Sequence, residues 1–475
     1  MDRLPHPASH FLGVLAGVGY HQIKQQIGVG VAVDHAEIVE GQVLVHPVHQ
    51  PDGQLFQPQG LGVVGVHRIH VDAGEDVVFL HQLHLDIIND IVTLVDVLIL
   101  RHLGVERGNV SSEKGLLKTG FEFIKEYGIG KGDFILASKS IYENYFANLC
   151  EDAEVRFKTD YGKSEPTDIM LDALLSDFRK LDCNRVFAIG GGAVIDMAKI
   201  LVLDSEAKCA DIYQRKVDLI RKRELIAVPT TCGAGSEVSN VSIVELTELG
   251  TKMGLADDVI YADYAVLIPE LLDKLPYHFF ATSAIDAFIH AIESYVSPRA
   301  NLYTRMFAKE SMKMILDGFK KVIEGGEEVR KTLLGDFLVA SNLAGISFAN
   351  AGTGAVHAMS YPLSGTYHVA HGEANYQFLV AVFQKYTELK PHGDLVELNM
   401  FLADVLECSV SDVYQELANV LGKIITKKPL REYGMKPEDA KIFAESCYAG
   451  QQRLLNQSYV KFDADIMEEI YASLY

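Results

Sequence analysis

Asp286 and His290 stand four residues apart. At helical spacing they share one face, about one turn apart. Two more histidines follow, His357 after Gly352-Thr-Gly-Ala-Val356 and His371 within Ala370-His-Gly-Glu373. After residue 112 only six histidines occur: His278, His290, His357, His368, His371 and His392. One carboxylate and three imidazoles make a mixed oxygen and nitrogen donor set. Such a set suits a divalent transition metal such as Fe2+ or Zn2+. Taken singly, each of these side chains reads as a packed or capping polar group.

A second chemistry is written in glycine. The apolar strand Val186-Phe-Ala-Ile189 runs into Gly190-Gly-Gly-Ala-Val-Ile-Asp-Met-Ala-Lys199. Strand, three glycines, then helix is an arrangement that cradles phosphate. Glycines let the backbone approach an oxygen cluster, and the helix start offers free N–H groups and a positive dipole end. The stretch is neither a P-loop nor the spaced GxGxxG fingerprint. A tight turn is the plain alternative. A second polar loop follows the strand Leu225-Ile-Ala-Val228, reading Pro229-Thr-Thr-Cys-Gly-Ala-Gly-Ser-Glu237. Hydroxyls at the carboxyl end of a strand lie where open α/β sheets bind ligands. Ser236 reads alternatively as a helix or turn cap.

The elements that must position these groups are legible in outline. From about Leu116 the chain alternates strand and helix patterns. Gly120 to Tyr127 suits a short helix, and Phe134 to Ala137 a buried strand. Thr167 to Leu181 carries apolar residues at helical spacing. After Pro269 strand signals stop and helical patterns fill the chain to its end. The reading is therefore an α/β dinucleotide-binding domain over residues 113–268 and an all-helical metal-binding domain over 269–475.

Together these stretches, with Asp286-Ala-Phe-Ile-His-Ala-Ile-Glu293 and Val356-His-Ala-Met-Ser-Tyr-Pro362, resemble the iron-containing (group III) alcohol dehydrogenase family. The likeness runs from Leu116 to Tyr475. It implies that Asp286, His290, His357 and His371 are the metal ligands, with Fe2+ expected and Zn2+ the alternative. It implies a pyrophosphate loop at Gly191, Gly192 and Ala193, flanked by Gly190 and Asp196. Thr230 and Thr231 match the loop beside the nicotinamide, and Lys252 a cleft lysine near the cofactor ribose. Ser138 stands where NAD-type relatives often carry Asp; NAD is expected, with NADP the alternative. Tyr361 replaces a second histidine that lies near the substrate and proton path in many relatives.

The implied reaction is hydride transfer between a nicotinamide and a carbonyl or alcohol carbon. The wording of Tyr367-His-Val369, Lys428-Pro-Leu-Arg-Glu-Tyr-Gly-Met435 and Gly450-Gln-Gln-Arg-Leu-Leu455 points within the family to 4-hydroxybutyrate and succinic semialdehyde. A terminal carboxylate needs a cation or several donors. Tyr361, His368 and His278 are the candidates, in a run that also holds Ser364, Thr366 and Tyr367. The rivals are a generic iron-type alcohol dehydrogenase and a metal- and NAD-using enzyme like dehydroquinate synthase. The latter is expected to use Glu with two His, so Asp with three His favours the dehydrogenase.

Residues 1–112 do not match the rest. They hold eleven of the seventeen histidines and a single lysine, Lys24. They read as an atypical extension outside the catalytic fold. Weak Val/Gly alternation over 26–48 allows short strands. The 43 basic and 64 acidic side chains leave a net charge of −21. That argues against a nucleic-acid coat, where nothing would offset phosphate repulsion. No apolar run reaches the roughly 18–20 residues of a membrane span. The six cysteines lack any CxxC spacing, so a reducing, cytoplasmic setting is expected. The expected partners are a small carboxylate-bearing substrate and further copies of the chain, as a homodimer or higher homo-oligomer.

Overall fold

A computed structural model describes residues 128–475, except Glu151, and the backbone of two strands at 33–39 and 42–47. The expected helix at Gly120 to Tyr127 lies outside the described residues. Strands β1 (Val33–Val39) and β2 (Gln42–Pro47) pair antiparallel, in the stretch where the Val/Gly alternation allows strands. By contacts the chain forms two compact units, Met1–His84 and Leu85–Tyr475.

The second unit begins, among the described residues, with β3 (Asp133–Ala137) and β4 (Glu154–Phe157). It continues with β5 (Arg185–Gly190), β6 (Glu224–Pro229) and the short β9 (Tyr264–Ala265). These five form one parallel sheet in the order β4-β3-β5-β6-β9. Side chains alternate between faces along a strand. Phe134, Leu136, Val186, Ala188, Leu225 and Ala227 enter one core with α1 (Asp168–Phe178) and α2 (Gly192–Leu201). Ile135, Ala137, Phe187, Ile189, Ile226 and Val228 enter the other core, shared with the helical half. Burial on both faces is why these strands read as continuous apolar runs rather than alternating ones. Thr167 ends the preceding segment by capping α1, its hydroxyl accepting from Met170 N–H at 3.2 Å. The antiparallel hairpin of β7 (Val241–Leu246) and β8 (Thr251–Ala256) pairs Glu245 with Lys252.

The helical half is organised by α3 (Tyr277–Val296), buried almost all round from Phe280 onward. A helix without a solvent face is a core helix. Around it lie α4 (Leu302–Thr332), α5 (Leu334–Ala351), α6 (Ala355–Tyr367) and α7 (His371–Leu389). The helix α4 is broken at Gly326, whose φ of +67° is open to glycine at no steric cost.

Candidate metal centre and cofactor cleft

Two carboxylates and an imidazole interrupt the buried part of α3, at Asp286, His290 and Glu293. Their spacing of four and three residues keeps them on one face. His357 comes from the first turn of α6, and His371 opens α7. One donor atom from each of Asp286, His290, His357 and His371 lies within 4.8 Å of all the others. Asp286, His290 and His357 are buried and His371 is half-buried.

Each donor is held by a neighbour. Glu293 accepts from His357 Nδ1 at 2.5 Å with one carboxylate oxygen and from Val356 N–H at 2.7 Å with the other. His290 Nδ1 lies 3.1 Å from the carbonyl of Gly233. Asn375 donates to Asp286 at 2.7 Å and stands 3.2 Å from His371 Nε2. Outer partners of this kind fix the tautomer and aim the ligand. Burial pushes His290 down to about 3 and lowers His371, so both imidazoles are neutral at pH 7. Burial opposes ionisation of Asp286, but the imidazoles, which carry charge only in acid, and the hydrogen bond from Asn375 favour it, and the carboxyl is held below its ordinary range. Neutral imidazoles beside a carboxylate are the protonation states a metal requires. The buried His357 Nε2 has no hydrogen-bond partner among the described residues. An orphaned nitrogen in such a cluster fits a cation.

The cluster lies in a cleft of about 710 Å³ between the helical half and the α/β half. The opposite wall is Gly191, Gly192, Ala193, Asp196, Thr231, Ala234, Ser236 and the β7–β8 hairpin. The chain leaves β5 at Gly190 and begins α2 at Gly192, so free N–H groups of α2 open there. A Cβ on Gly190 would meet Val194 Cγ2 at 2.5 Å, and one on Gly192 would meet the Ala234 Cβ at 2.7 Å. The first glycine packs strand against helix. The second lets the two glycine-rich loops touch.

Not every expected site residue faces this cleft. Gly190 and Thr230 do not line it; the Thr230 N–H donates to the Gly190 carbonyl at 3.1 Å and joins the two loops. Ser138 stands just beyond β3, its N–H donating to Ile189 at 2.9 Å, outside the lining. Asp196 lines the cleft, but its carboxylate is engaged with protein. It accepts from the Ser236 hydroxyl and from Ile243 N–H at 2.9 Å, and lies 3.6 Å from Lys199 Nζ. Lys199 is fully buried and also bonds Ser236, Ser239 and the Val241 carbonyl. Ser236 thus braces α2 and does not cap; Gly235 occupies the cap position of the short helical turn at 236–238.

Tyr361 lies one turn after His357 on α6, its ring 6.1 Å from that of His371. Burial pushes its phenol up to about 12, which keeps the proton on. Lys252 stands 5.9 Å over the Tyr361 ring and pairs with Glu165. The donor-rich run after Tyr361 is otherwise turned away. The helix continues through Pro362 to Tyr367, whose hydroxyl bonds Asp439. His368 follows at φ +54°, exposed and outside the cleft lining. His278 is half exposed and meets Glu373 at 3.1 Å, again outside it.

Sequence reasoning missed Glu293, Glu165, Asn375 and Arg453. Glu293 and Asn375 carried a signal: each is a polar residue at helical spacing from a ligand, inside an apolar helix. Glu165 and Arg453 carried none, since they reach the cleft from distant segments.

Two family models match the chain: "Iron-containing alcohol dehydrogenase" over residues 108–269 and "Fe-containing alcohol dehydrogenase family, C-terminal" over 280–475. The chain is 47% identical over 357 residues to a 4-hydroxybutyrate dehydrogenase of Clostridium kluyveri, covering 75% of this chain and 96% of that protein. It is 32% identical over 293 residues to long-chain-alcohol dehydrogenase 1 of Geobacillus thermodenitrificans, covering 59% and 72%. Among solved structures, sulfoacetaldehyde reductase from Bifidobacterium kashiwanohense in complex with NAD+ superposes with a TM-score of 0.66 at 22% identity. That match covers 76% of this chain and 96% of the other, and shares the fold. With a relative at 47% identity aligned over nearly its whole length, and with both halves of the cleft matched, the chain belongs to the iron-containing alcohol dehydrogenase family.

Proposed function

We propose that this protein interconverts 4-hydroxybutyrate and succinic semialdehyde, using a nicotinamide cofactor, NAD in the first instance, and a divalent metal, Fe2+ before Zn2+. The observation that carries the reading is the Asp286, His290, His357 and His371 cluster facing a glycine-lined helix start across one cleft. The substrate follows from the 47% identical Clostridium kluyveri relative. When bound, the metal supplies a Lewis acid for the substrate oxygen, and the nicotinamide carries the hydride.

The chain's own residues do the rest. Asp286 and the three imidazoles hold the metal, and Glu293, Gly233 and Asn375 hold them in aim. Backbone N–H groups at the start of α2 receive the pyrophosphate without a charged side chain. Thr231 borders the same wall. Tyr361, protonated at neutral pH, donates a hydrogen bond on the substrate side. Lys252 and Glu165 form the polar rim between hairpin and helices.

The test is NADH-dependent reduction of succinic semialdehyde by metal-loaded enzyme, beside butyraldehyde. The expected preference is at least tenfold in kcat/KM, about 1.4 kcal/mol. Equal turnover of butyraldehyde overturns the substrate assignment and leaves a generic alcohol dehydrogenase. Repeating the assay with NADPH, and after reloading with Zn2+, decides the cofactor and metal. The reading also carries a cytoplasmic setting and a homodimer or higher homo-oligomer. All six cysteines are unpaired, which suits a reducing compartment. Light scattering of the purified protein tests the oligomer.

A further inference from the structure

An anionic substrate entering this cleft meets a difficulty. The chain carries a net charge of −21, and Glu165, Asp196, Glu245 and Asp286 all line the walls. A carboxylate taken from water into such a place needs a cation or several hydrogen-bond donors, and the acidic walls favour the cation. Three long cationic side chains line the cleft: Lys252, Arg299 and Arg453. Lys252 is already paired with Glu165. Among the described residues, neither arginine side chain makes a hydrogen bond or an ion pair. They differ in position. Arg299 follows the end of α3, beyond Ser297. Arg453 lies on the short helix Gln452–Leu455 of the helical half, and its side chain crosses the cleft to the β7–β8 hairpin. A Cβ on Gly254 of β8 would stand 3.4 Å from Arg453 Nη2, so the strand is bare where the guanidinium passes. Tyr361 lines the same cleft, and while burial raises its phenol, the Arg453 charge draws it downward. Both groups line the cleft and both meet strand β8: Lys252 stands over the Tyr361 ring, and Arg453 passes Gly254 two residues on.

We propose that Arg453 is the specificity-determining anchor for the substrate's terminal carboxylate, with the Tyr361 hydroxyl beside it. The inference rests on the carboxylate-bearing substrate proposed above. Its chemistry is the planar fork of guanidinium N–H groups, which matches a carboxylate with two parallel hydrogen bonds. A lysine there would offer only a point charge. An unpaired arginine at a cleft wall is then a binding group awaiting its counter-ion.

The test compares wild type, R453M, R453K and R299M as metal-loaded enzymes with NADH. For each, kcat/KM is measured on succinic semialdehyde and on butyraldehyde. Succinate binding to the NADH complex is measured by calorimetry. R453M should lose at least thirtyfold on succinic semialdehyde while butyraldehyde stays within threefold. Succinate affinity should fall at least tenfold. R453K should recover part of both, and R299M should keep the wild-type preference. A preference that survives R453M, an equal loss on both aldehydes, or a preference abolished by R299M instead, overturns the assignment to Arg453. Should R453M fail to fold, as judged by thermal unfolding, R453Q reads the same split. A wild type with no preference for succinic semialdehyde overturns the substrate reading itself, and is told apart because it needs no variant.

Discussion

The two walls of the cleft are built on opposite rules. The helical wall presents side chains: one carboxylate and three imidazoles, each buried or half-buried and each held by a second polar group. The α/β wall presents the lack of side chains: Gly191, Gly192, Ala193 and the start of a helix. On the first wall, chemistry depends on which atoms are present. On the second it depends on how closely backbone can approach. A polar side chain near each wall therefore means different things. Glu293 on α3 holds His357 of the donor cluster. Asp196 on α2 serves the fold, tying Ser236, Ile243 and the buried Lys199 together.

The comparison can be broken at its strongest point first. His357→Ala removes a donor that has no substitute in the cluster. Metal content should fall to background, and kcat/KM should drop by more than the 10–100-fold usual for an outer partner. Binding of NADH, measured by fluorescence, should stay within about threefold, because the α/β wall is untouched. Loss of both together would show that the walls are not independent. Asp196→Ala comes next and should act on stability. It removes the carboxylate partner of a fully buried ammonium, a loss of about 2–4 kcal/mol. Thermal unfolding reads it. If instead the melting temperature holds and only the KM for NADH rises, Asp196 is a cofactor contact, as the sequence suggested.

That the four donors converge while the Asp196 carboxylate is engaged with protein has a physical reason. A donor set is a matter of residue types, and i,i+4 spacing places two of its members without any tertiary knowledge. The strands at 133–137, 185–190 and 224–229 were legible for a similar reason: a sheet covered on both faces writes unbroken apolar runs. Orientation beyond one turn is not written that way. The run from Tyr361 to His371 holds many donors, but α6 continues through Pro362 and fans them around its axis. Of Tyr361, Ser364, Thr366, Tyr367 and His368, only Tyr361 lines the cleft; Ser364, two turns from His357, is buried away from it. His368 falls past the helix end and into solvent. Glu165 and Arg453 lie far from the motifs in sequence, and only the fold brings them to the cleft.

Glu293→Gln sharpens the helical side of the comparison at a smaller scale. Both carboxylate oxygens accept, one from His357 and one from Val356. An amide can accept at one of these and must turn its NH2 toward the other. Metal affinity should fall about 10–100-fold, with the fold retained. Competition with a chelator measures it. An unchanged affinity would mean that His357 is aimed by packing alone.

The smallest effect belongs to the glycine wall, and it tests whether close approach is what matters there. A methyl group on Gly192 would stand 2.7 Å from the Ala234 Cβ, closer than side-chain atoms settle. Gly192→Ala should part the two loops by a few tenths of an ångström and shift the first N–H groups of α2. The KM for NADH should rise about tenfold, or 1.4 kcal/mol, while metal content stays at the wild-type level. The neighbour that suffers is itself a methyl group, so the strain has a specific cure. Ala234→Gly alone should change the KM by less than threefold. In the double variant the clash is gone, and most of the tenfold loss should return. Contacting sites of this kind show coupling of about 0.5–3 kcal/mol, well above the scatter of additive pairs. Additive effects of the two substitutions would place the role of Gly192 in its backbone freedom, since removing a facing methyl cannot restore that.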